Sequence, residues 1–316
     1  MNELSRPKVS VSLITYNHAD FIEQAIESVL MQETDFEYEL VIGEDDSSDG
    51  TREIVQSYAE QYPDKIRLLL NDRVNVIYID GRPTGRWNMV NTLQHCNGQY
   101  IAWLDGDDYW TDPQKLQKQT DFLDEHSECS MCYHNTLMVY QDRKHNPIRF
   151  NLPVGKKTYS LKDLLKGNFI HLSSVLYRNK LFSGFPDWFC TVAVGDWPLF
   201  IMIAQYGDIG YINEIMSIYR VWTGSIHSHR RRIRLFQEMI ETSKVLNRHF
   251  DYQYDRTLRS LTFLYRFYIA KDKGDWTESI LNLLRCVAVS PFNNPVTSRH
   301  LFMKFQYHFN TSFGIR

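Results

Sequence analysis

Short β-branched runs alternate with helix-period segments along the first hundred residues, and two of those runs end directly in clusters of carboxylates. Val9-Ser-Val-Ser-Leu-Ile14 reads as a buried strand. Phe21, Ile22, Ala25, Ile26, Val29 and Leu30 then recur at helical spacing, with Asp20 placed to cap that helix. Further strands are expected at Tyr38 to Ile42, Ile66 to Leu70 and Tyr100 to Leu104, and helices at about Thr51 to Gln61 and Asn88 to Cys96. The turn-rich stretch Asn71 to Gly85 reads as a long loop. Alternation of this kind predicts an α/β fold with a mostly parallel sheet flanked by helices. Beyond Pro113 the pattern predicts a helix carrying Leu116 and Leu123, strands at Cys129 to Tyr140, Ser173 to Tyr177 and Ile209 to Tyr219, and a helix from Asp196 to Tyr206 with Pro198 in its first turn. From Arg230 onward the spacing is helical.

Ligands of open α/β sheets lie at the carboxyl ends of the strands. The clusters Glu44-Asp45-Asp46 and Asp105-Gly-Asp107-Asp108 both follow strands, so they are expected to face one crevice although about sixty residues separate them. Asp105 and Asp107 supply spaced hard oxygens suited to a divalent cation that also touches phosphate. Glu44 or Asp45 suits a hydrogen bond from a nucleobase imide or a ribose hydroxyl. Ser47, Ser48 and Asp49 equally suit capping of the next helix. A solvated acidic turn is the competing reading of either cluster.

Composition narrows the class. With 43% hydrophobic and 23% charged residues, the chain buries a core rather than remaining disordered. No stretch approaches the ~18 apolar residues of a spanning helix, and Met1 to Lys8 has no signal-like apolar block. Five cysteines are too few for a disulfide scaffold and fit a reducing, cytoplasmic setting. Cys129 and Cys132, with His134 nearby, lie in a predicted strand whose alternation would send them to opposite faces, so buried thiols are expected rather than zinc.

Three segments occur in a telling order: Val9-Ser-Val-Ser-Leu-Ile-Thr-Tyr-Asn17, Glu44-Asp-Asp-Ser-Ser-Asp-Gly-Thr51 and Tyr100-Ile-Ala-Trp-Leu-Asp-Gly-Asp-Asp108. Together they resemble the inverting family-2 glycosyltransferases of GT-A fold, over roughly residues 8–225. The resemblance implies a nucleotide-sugar donor, Mg²⁺ or Mn²⁺, and a GT-A domain over 1–228. Its donor half would cover about 8–110 and its acceptor half about 111–228, with a basic helical extension over 229–316. Carried over by position, Thr15, Tyr16 and Asn17 would line the nucleotide pocket, with Glu44 and Asp45 near the base. Asp105 would approach the ribose or sugar and Asp107 the metal, with Asp105 a further candidate ligand. Asn88 corresponds to a donor-side position. Arg86 suits a phosphate contact or plain solvation, and Arg220 suits the diphosphate.

Gly195-Asp196-Trp197 resembles the position of the family's base. An inverting transfer needs a carboxylate that deprotonates the acceptor hydroxyl opposite the leaving group. Helix capping is the competing role of Asp196. Where the family often has a histidine two residues after the arginine, this chain has Trp222, leaving His227 and His229 as candidate metal ligands.

From Arg230 to Arg316 there are 15 Lys and Arg against 7 Asp and Glu, while the remainder is acidic. The aromatic end, with Phe302, Phe305, Tyr307, Phe309 and Phe313, suits an anionic membrane surface. Packing on the acidic body or a homodimer contact are the alternatives. No nucleic-acid module is recognisable. The resemblance thus implies transfer to a glycan or lipid-linked acceptor in capsule, O-antigen or other surface-glycan synthesis, at the inner membrane face. The competing classes are a nucleotidyltransferase, a metal-dependent phosphohydrolase using the same carboxylates, or a non-catalytic nucleotide- or carbohydrate-binding module.

Overall fold

The computed structural model of the protein describes residues 6–141, 146–150, 157–222 and 229–291. The first half runs β1 (Val9–Thr15), α1 (Ile22–Leu30), β2 (Tyr38–Glu44), α2 (Thr51–Gln61), β3 (Ile66–Leu70), the short pair β4 (Ile77–Ile79) and β5 (Arg82–Thr84), α3 (Arg86–Gln94) and β6 (Tyr100–Asp105). There follow β7 (Tyr109–Trp110), α4 (Lys115–Glu125), β8 (Cys129–Tyr140), β9 (Ile148–Arg149), β10 (Thr158–Tyr159), α5 (Leu161–Leu164), β11 (Val175–Arg178), α6 (Asp196–Ile203) and β12 (Asp208–Val221). Three helices close the described chain: α7 (His229–His249), α8 (Asp255–Asp272) and α9 (Trp276–Val289).

The main sheet has the order β10-β12-β8-β11-β6-β1-β2-β3, with β7 on β12 and β9 on β8. Strands β6, β1, β2 and β3 are mutually parallel. β11 runs antiparallel to both β6 and β8, and β12 lies parallel to β8. Period-two alternation divides the apolar residues between the two faces. Tyr100, Ala102 and Leu104 join a core with Ile22, Ile26 and Val29 of α1 and Leu116 of α4. Ile101 and Trp103 join the opposite core with Trp197 and Phe200 of α6 and Leu261 and Leu264 of α8. The C-terminal helices therefore share a core with the sheet. Phe236 of α7 stacks on Tyr265 and Tyr268 of α8, and Arg232 pairs with Asp272 across the same helices.

Several local expectations change. Asp20 does not cap α1: the helix starts at Ile22, and its N-cap residue, Phe21, makes no side-chain cap bond. The stretch Asn71 to Gly85 is not plain loop, because a 3₁₀ turn over Arg73–Asn75 leads into the β4–β5 hairpin. Asp80 and Gly81 supply the positive φ angles that tight hairpin turns require. Cys129 and Cys132 do not separate to opposite faces, since both enter the core beneath α4. A register shift between Asp208 and Ile209 in the β8–β12 pairing inserts the extra residue that turns the alternation over. Both are free, buried thiols.

Candidate active site

The order of the parallel strands reverses between β1 and β6, where β6 lies on one side of β1 and β2 and β3 on the other. This is the switch point at which open α/β sheets form a crevice. Register brings the acidic clusters to it: Thr15 pairs with Glu44, and Ile14 with Asp105. The two carboxylate clusters are thus one strand apart despite their separation in sequence.

On the β2 side the carboxylates divide their work. Glu44 is fully buried, accepting from the Ser47 amide at 2.7 Å and from Arg52 Nε. It holds its own turn together. Asp49 precedes Gly50, the N-cap residue of α2, and accepts from the Thr51 amide and hydroxyl and from the Ala19 amide. Asn17, at positive φ, ties the β1 loop to this turn through Ser47 and Ser48.

Asp45 is different. Its Oδ2 pairs with Arg73 Nη1 at 3.2 Å, and the Arg73 guanidinium lies 4.1 Å over the ring of exposed Tyr16. Burial pushes the Asp45 carboxyl up to about 6, with Arg73 opposing and Glu44 and Asp46 adding to the rise. Tyr16, Asp45 and Arg73 thus form one cluster of an aromatic ring, an acceptor and a cation. Sequence reading missed Arg73, because nothing in an irregular stretch signals which side chain turns inward.

Asp105, Asp107 and Asp108 present carboxylate oxygens all within 4.8 Å of one another. Burial, then Asp107, raises the Asp105 carboxyl to about 8, and Asp196 contributes in the same direction. Asp108 is raised well above its usual range by burial and by both neighbours. Three clustered carboxylates, two of them with raised carboxyls, fit a divalent cation, which takes hard oxygen ligands. Asp108 is turned inward: its Oδ1 accepts the Arg220 amide at 3.0 Å, and its Oδ2 lies 3.9 Å from His171 Nε2. Asp107 receives Trp222 Nε1 on Oδ2 at 3.1 Å. His18 Nε2 stands 4.0 Å from the same oxygen.

Arg220 is buried, its guanidinium donating to the Asp107 carbonyl and to Gln24 and packing over Tyr109. Asn88 is also buried, donating to the Gly43 carbonyl at 2.8 Å and accepting from Asn71 at 2.7 Å. Arg86 is not solvated: its Nη2 donates to the Val192 carbonyl at 2.9 Å and the Ala193 carbonyl at 3.3 Å. Burial lowers its guanidinium to about 10.

Those contacts brace the loop that ends in Gly195 and Asp196. Asp196 is the first residue of α6, and Gly195, its N-cap residue, has no side chain to cap with. Asp196 Oδ1 accepts the Trp197 amide at 2.7 Å, and Oδ2 accepts from Asn168 Nδ2 at 2.9 Å. Its charge is felt at the Asp105 carboxyl, so the opening of α6 lies on the side of the acidic cluster. His227 lies outside the described residues, and His229 opens α7.

The switch point thus carries Tyr16, Asp45 and Arg73 around the end of β2 and an acidic triad at the end of β6, with β1 between them. Residues 10–185 match the profile of Glycosyl transferase family 2, and the chain belongs to that family. An uncharacterised protein of Mycobacterium tuberculosis is 32% identical over 229 residues, covering 71% of this chain. That match spans 63% of the mycobacterial protein's own length. The Escherichia coli UDP-Glc:alpha-D-GlcNAc-diphosphoundecaprenol beta-1,3-glucosyltransferase WfgD is 33% identical, covering 70% of this chain and 80% of that protein. The putative teichuronic acid biosynthesis glycosyltransferase TuaG of Bacillus subtilis is 28% identical, covering 71% and 83%.

Among solved structures, Staphylococcus aureus TarS 1-349 superposes with a TM-score of 0.55 at 18% identity, over 89% of this chain and 81% of that one. The Pyrobaculum calidifontis mannosyltransferase PcManGT, solved with GDP-Man and Mn2+, also gives 0.55 at 18%, over 99% and 89%. These likenesses establish the GT-A fold, a mixed, mostly parallel sheet with helices on both faces and a helical C-terminal region.

Proposed function

We propose that this chain transfers a sugar from a nucleoside diphosphate sugar to an acceptor hydroxyl with inversion, in the assembly of a cell-surface glycan. The observation that carries the reading is the strand register that sets Thr15, Glu44 and Asp105 along one sheet edge. Tyr16 stacks the base, and Asp45 accepts from its imide or from the ribose, with Arg73 completing the pocket. Thr15 and Asn17 shape the loop beneath it. Glu44, Asn88 and Arg86 hold the walls, and Arg220 fixes the Asp107–Asp108 turn. Asp105 and Asp107 would hold Mg²⁺ or Mn²⁺, which would supply positive charge to offset the negative charge on the leaving diphosphate. The neighbour solved with GDP-Man and Mn2+ supports this assignment.

Asp196 takes the proton of the acceptor hydroxyl. Asn168 and the Trp197 amide orient its carboxylate. The acceptor oxygen attacks the anomeric carbon opposite the diphosphate, so an α-linked donor gives a β-linked product. A lipid-linked acceptor agrees with the undecaprenol-linked substrate in the name of WfgD.

Contact with an anionic membrane belongs to the same reading. No helix among the described residues is long and apolar enough to cross a membrane. Helix α9, however, exposes Trp276, Ile280, Leu284 and Val287 at helical spacing. The aromatic segment 299–316, the expected membrane contact, lies outside the described residues.

The experiment is incubation with a panel of nucleotide sugars, with the released nucleotide identified by chromatography. A transferase releases the nucleoside diphosphate, whereas release of pyrophosphate or monophosphate supports a nucleotidyltransferase or phosphohydrolase instead. Asp196→Asn is expected to retain donor binding and lose transfer by at least ~10²-fold. Near-normal turnover would move the base elsewhere.

A further inference from the structure

His18 follows β1 by three residues and looks across the turn that carries Asp107. Its backbone is fixed at both ends: the amide donates to Thr51 Oγ1 at 2.8 Å, and the carbonyl accepts the Phe21 and Ile22 amides at 2.9 Å each. Its ring is fixed as well. Nδ1 lies 3.2 Å from Thr15 Oγ1, and the side chain is only 17% exposed. In the tautomer that donates Nδ1–H to Thr15, Nε2 carries the lone pair, and Nε2 is the atom that faces Asp107 Oδ2 at 4.0 Å.

A separation of 4.0 Å is too long for a hydrogen bond. It is short enough for a cation with ligand bonds of about 2.1 Å to span. Metal-binding imidazoles are oriented by an oxygen acceptor on their second nitrogen, and the Thr15 hydroxyl stands in that position here. The opposing turn is built for the approach. A Cβ on Gly106 would stand 2.7 Å from Thr15 Oγ1 and 2.9 Å from His18 Nδ1, so only glycine lets the Asp105–Asp107 turn sit against this pair.

We propose that His18 is a nitrogen ligand of the divalent cation at Asp107, held in the required tautomer by Thr15. The inference rests on the metal-dependent reading above and adds a ligand from the β1 loop. It couples the cation to the same loop that carries Tyr16 and Asn17, so that metal and nucleotide order one another.

The test is Mn²⁺ binding by the full chain in the presence of UDP or GDP, read by pulsed electron paramagnetic resonance for ¹⁴N coupling and by titration for affinity. Wild type is expected to show directly bonded nitrogen. His18→Gln should lose that coupling and bind Mn²⁺ at least about 10-fold more weakly. Thr15→Val, which keeps the side chain's shape, should retain the coupling and weaken binding about 10-fold. Mn²⁺ bound without nitrogen coupling, or coupling that persists in His18→Gln, would overturn the role of His18 and leave the metal site standing. Unchanged Mn²⁺ affinity in His18→Gln with loss of nucleotide affinity would make His18 a phosphate contact instead. Absence of Mn²⁺ binding in wild type with either nucleotide would overturn both this inference and the metal-dependent reading.

Discussion

The indole N–H of Trp222 donates to the Asp107 carboxylate at 3.1 Å, and the ring packs against Phe21 at 5.6 Å between centroids. Trp222 stands where the family resemblance leads one to expect histidine. It brings a donor rather than a lone pair, and so orients a carboxylate instead of joining it as a ligand. Trp222→Phe keeps the ring packing and removes the N–H. Transfer is expected to fall about 10-fold, as for other groups that orient a metal-binding carboxylate. The variant's thermal midpoint checks that the fold survives; unchanged transfer would mean that Asp107 needs no such orientation.

Nucleotide affinity should depend on pH through Asp45. Burial raises this carboxyl to about 6, and the base or ribose contact requires its ionised form. Affinity is therefore full above that value and declines as pH falls through about 6. Titrations of UDP and GDP between pH 5 and 8 measure it, and Asp45→Asn should flatten the profile while weakening binding near neutrality.

Lys115 is completely buried, donating to Gln119 Oε1 at 2.7 Å and lying 3.9 Å over the Trp110 ring. Burial lowers its ammonium to about 7 from the ordinary 10.5. Between those values the unfolded chain binds the extra proton, so this residue makes stability rise with pH across the window. Below about 7 both states are protonated and its full penalty is present. Denaturant unfolding from pH 7 to 9.5 should show the slope in wild type and a shallower one in Lys115→Met.

Gly43 sits where β2 passes under α3. A Cβ there would meet Thr92 Oγ1 at 2.0 Å and Asn88 Oδ1 at 2.2 Å. Asn88 would have to release the Gly43 carbonyl and Asn71. Gly43→Ala is expected to cost about 1–3 kcal/mol by overpacking, visible as a lowered thermal midpoint.

Much of this architecture was legible in the residues. The runs at Val9, Tyr38 and Tyr100 are short, mostly apolar and buried nearly throughout because parallel strands are covered on both faces, and the carboxylates after them mark the ends that face the crevice. Pairing order was less accessible. β11 enters antiparallel between β6 and β8, and no local pattern encodes which strands adjoin. The bulge that carries Cys129 and Cys132 into one core is likewise set by pairing with β12 rather than by the sequence of β8 alone.

At the site, the strand-end positions could be read and the partners could not. Nothing in Glu44-Asp45-Asp46 says that Arg52 claims the first carboxylate while Arg73 meets the second. Arg86 and Asn88 resembled donor-side residues because they lie before β6, yet their side chains brace the loop before Asp196 and the end of β2. His18 carried no signal, since its meaning depends on a turn nearly ninety residues away.

The central claim is a metal-dependent nucleotide site at the β1–β6 switch point. Calorimetric titration of UDP, GDP and TDP, each with Mn²⁺ and with chelator, tests it most directly, with Asp107→Asn alongside. One nucleotide is expected to bind wild type in a Mn²⁺-dependent manner, and that dependence should vanish in Asp107→Asn. Binding indifferent to Mn²⁺ and to Asp107, or no binding of any nucleotide, would contradict the account.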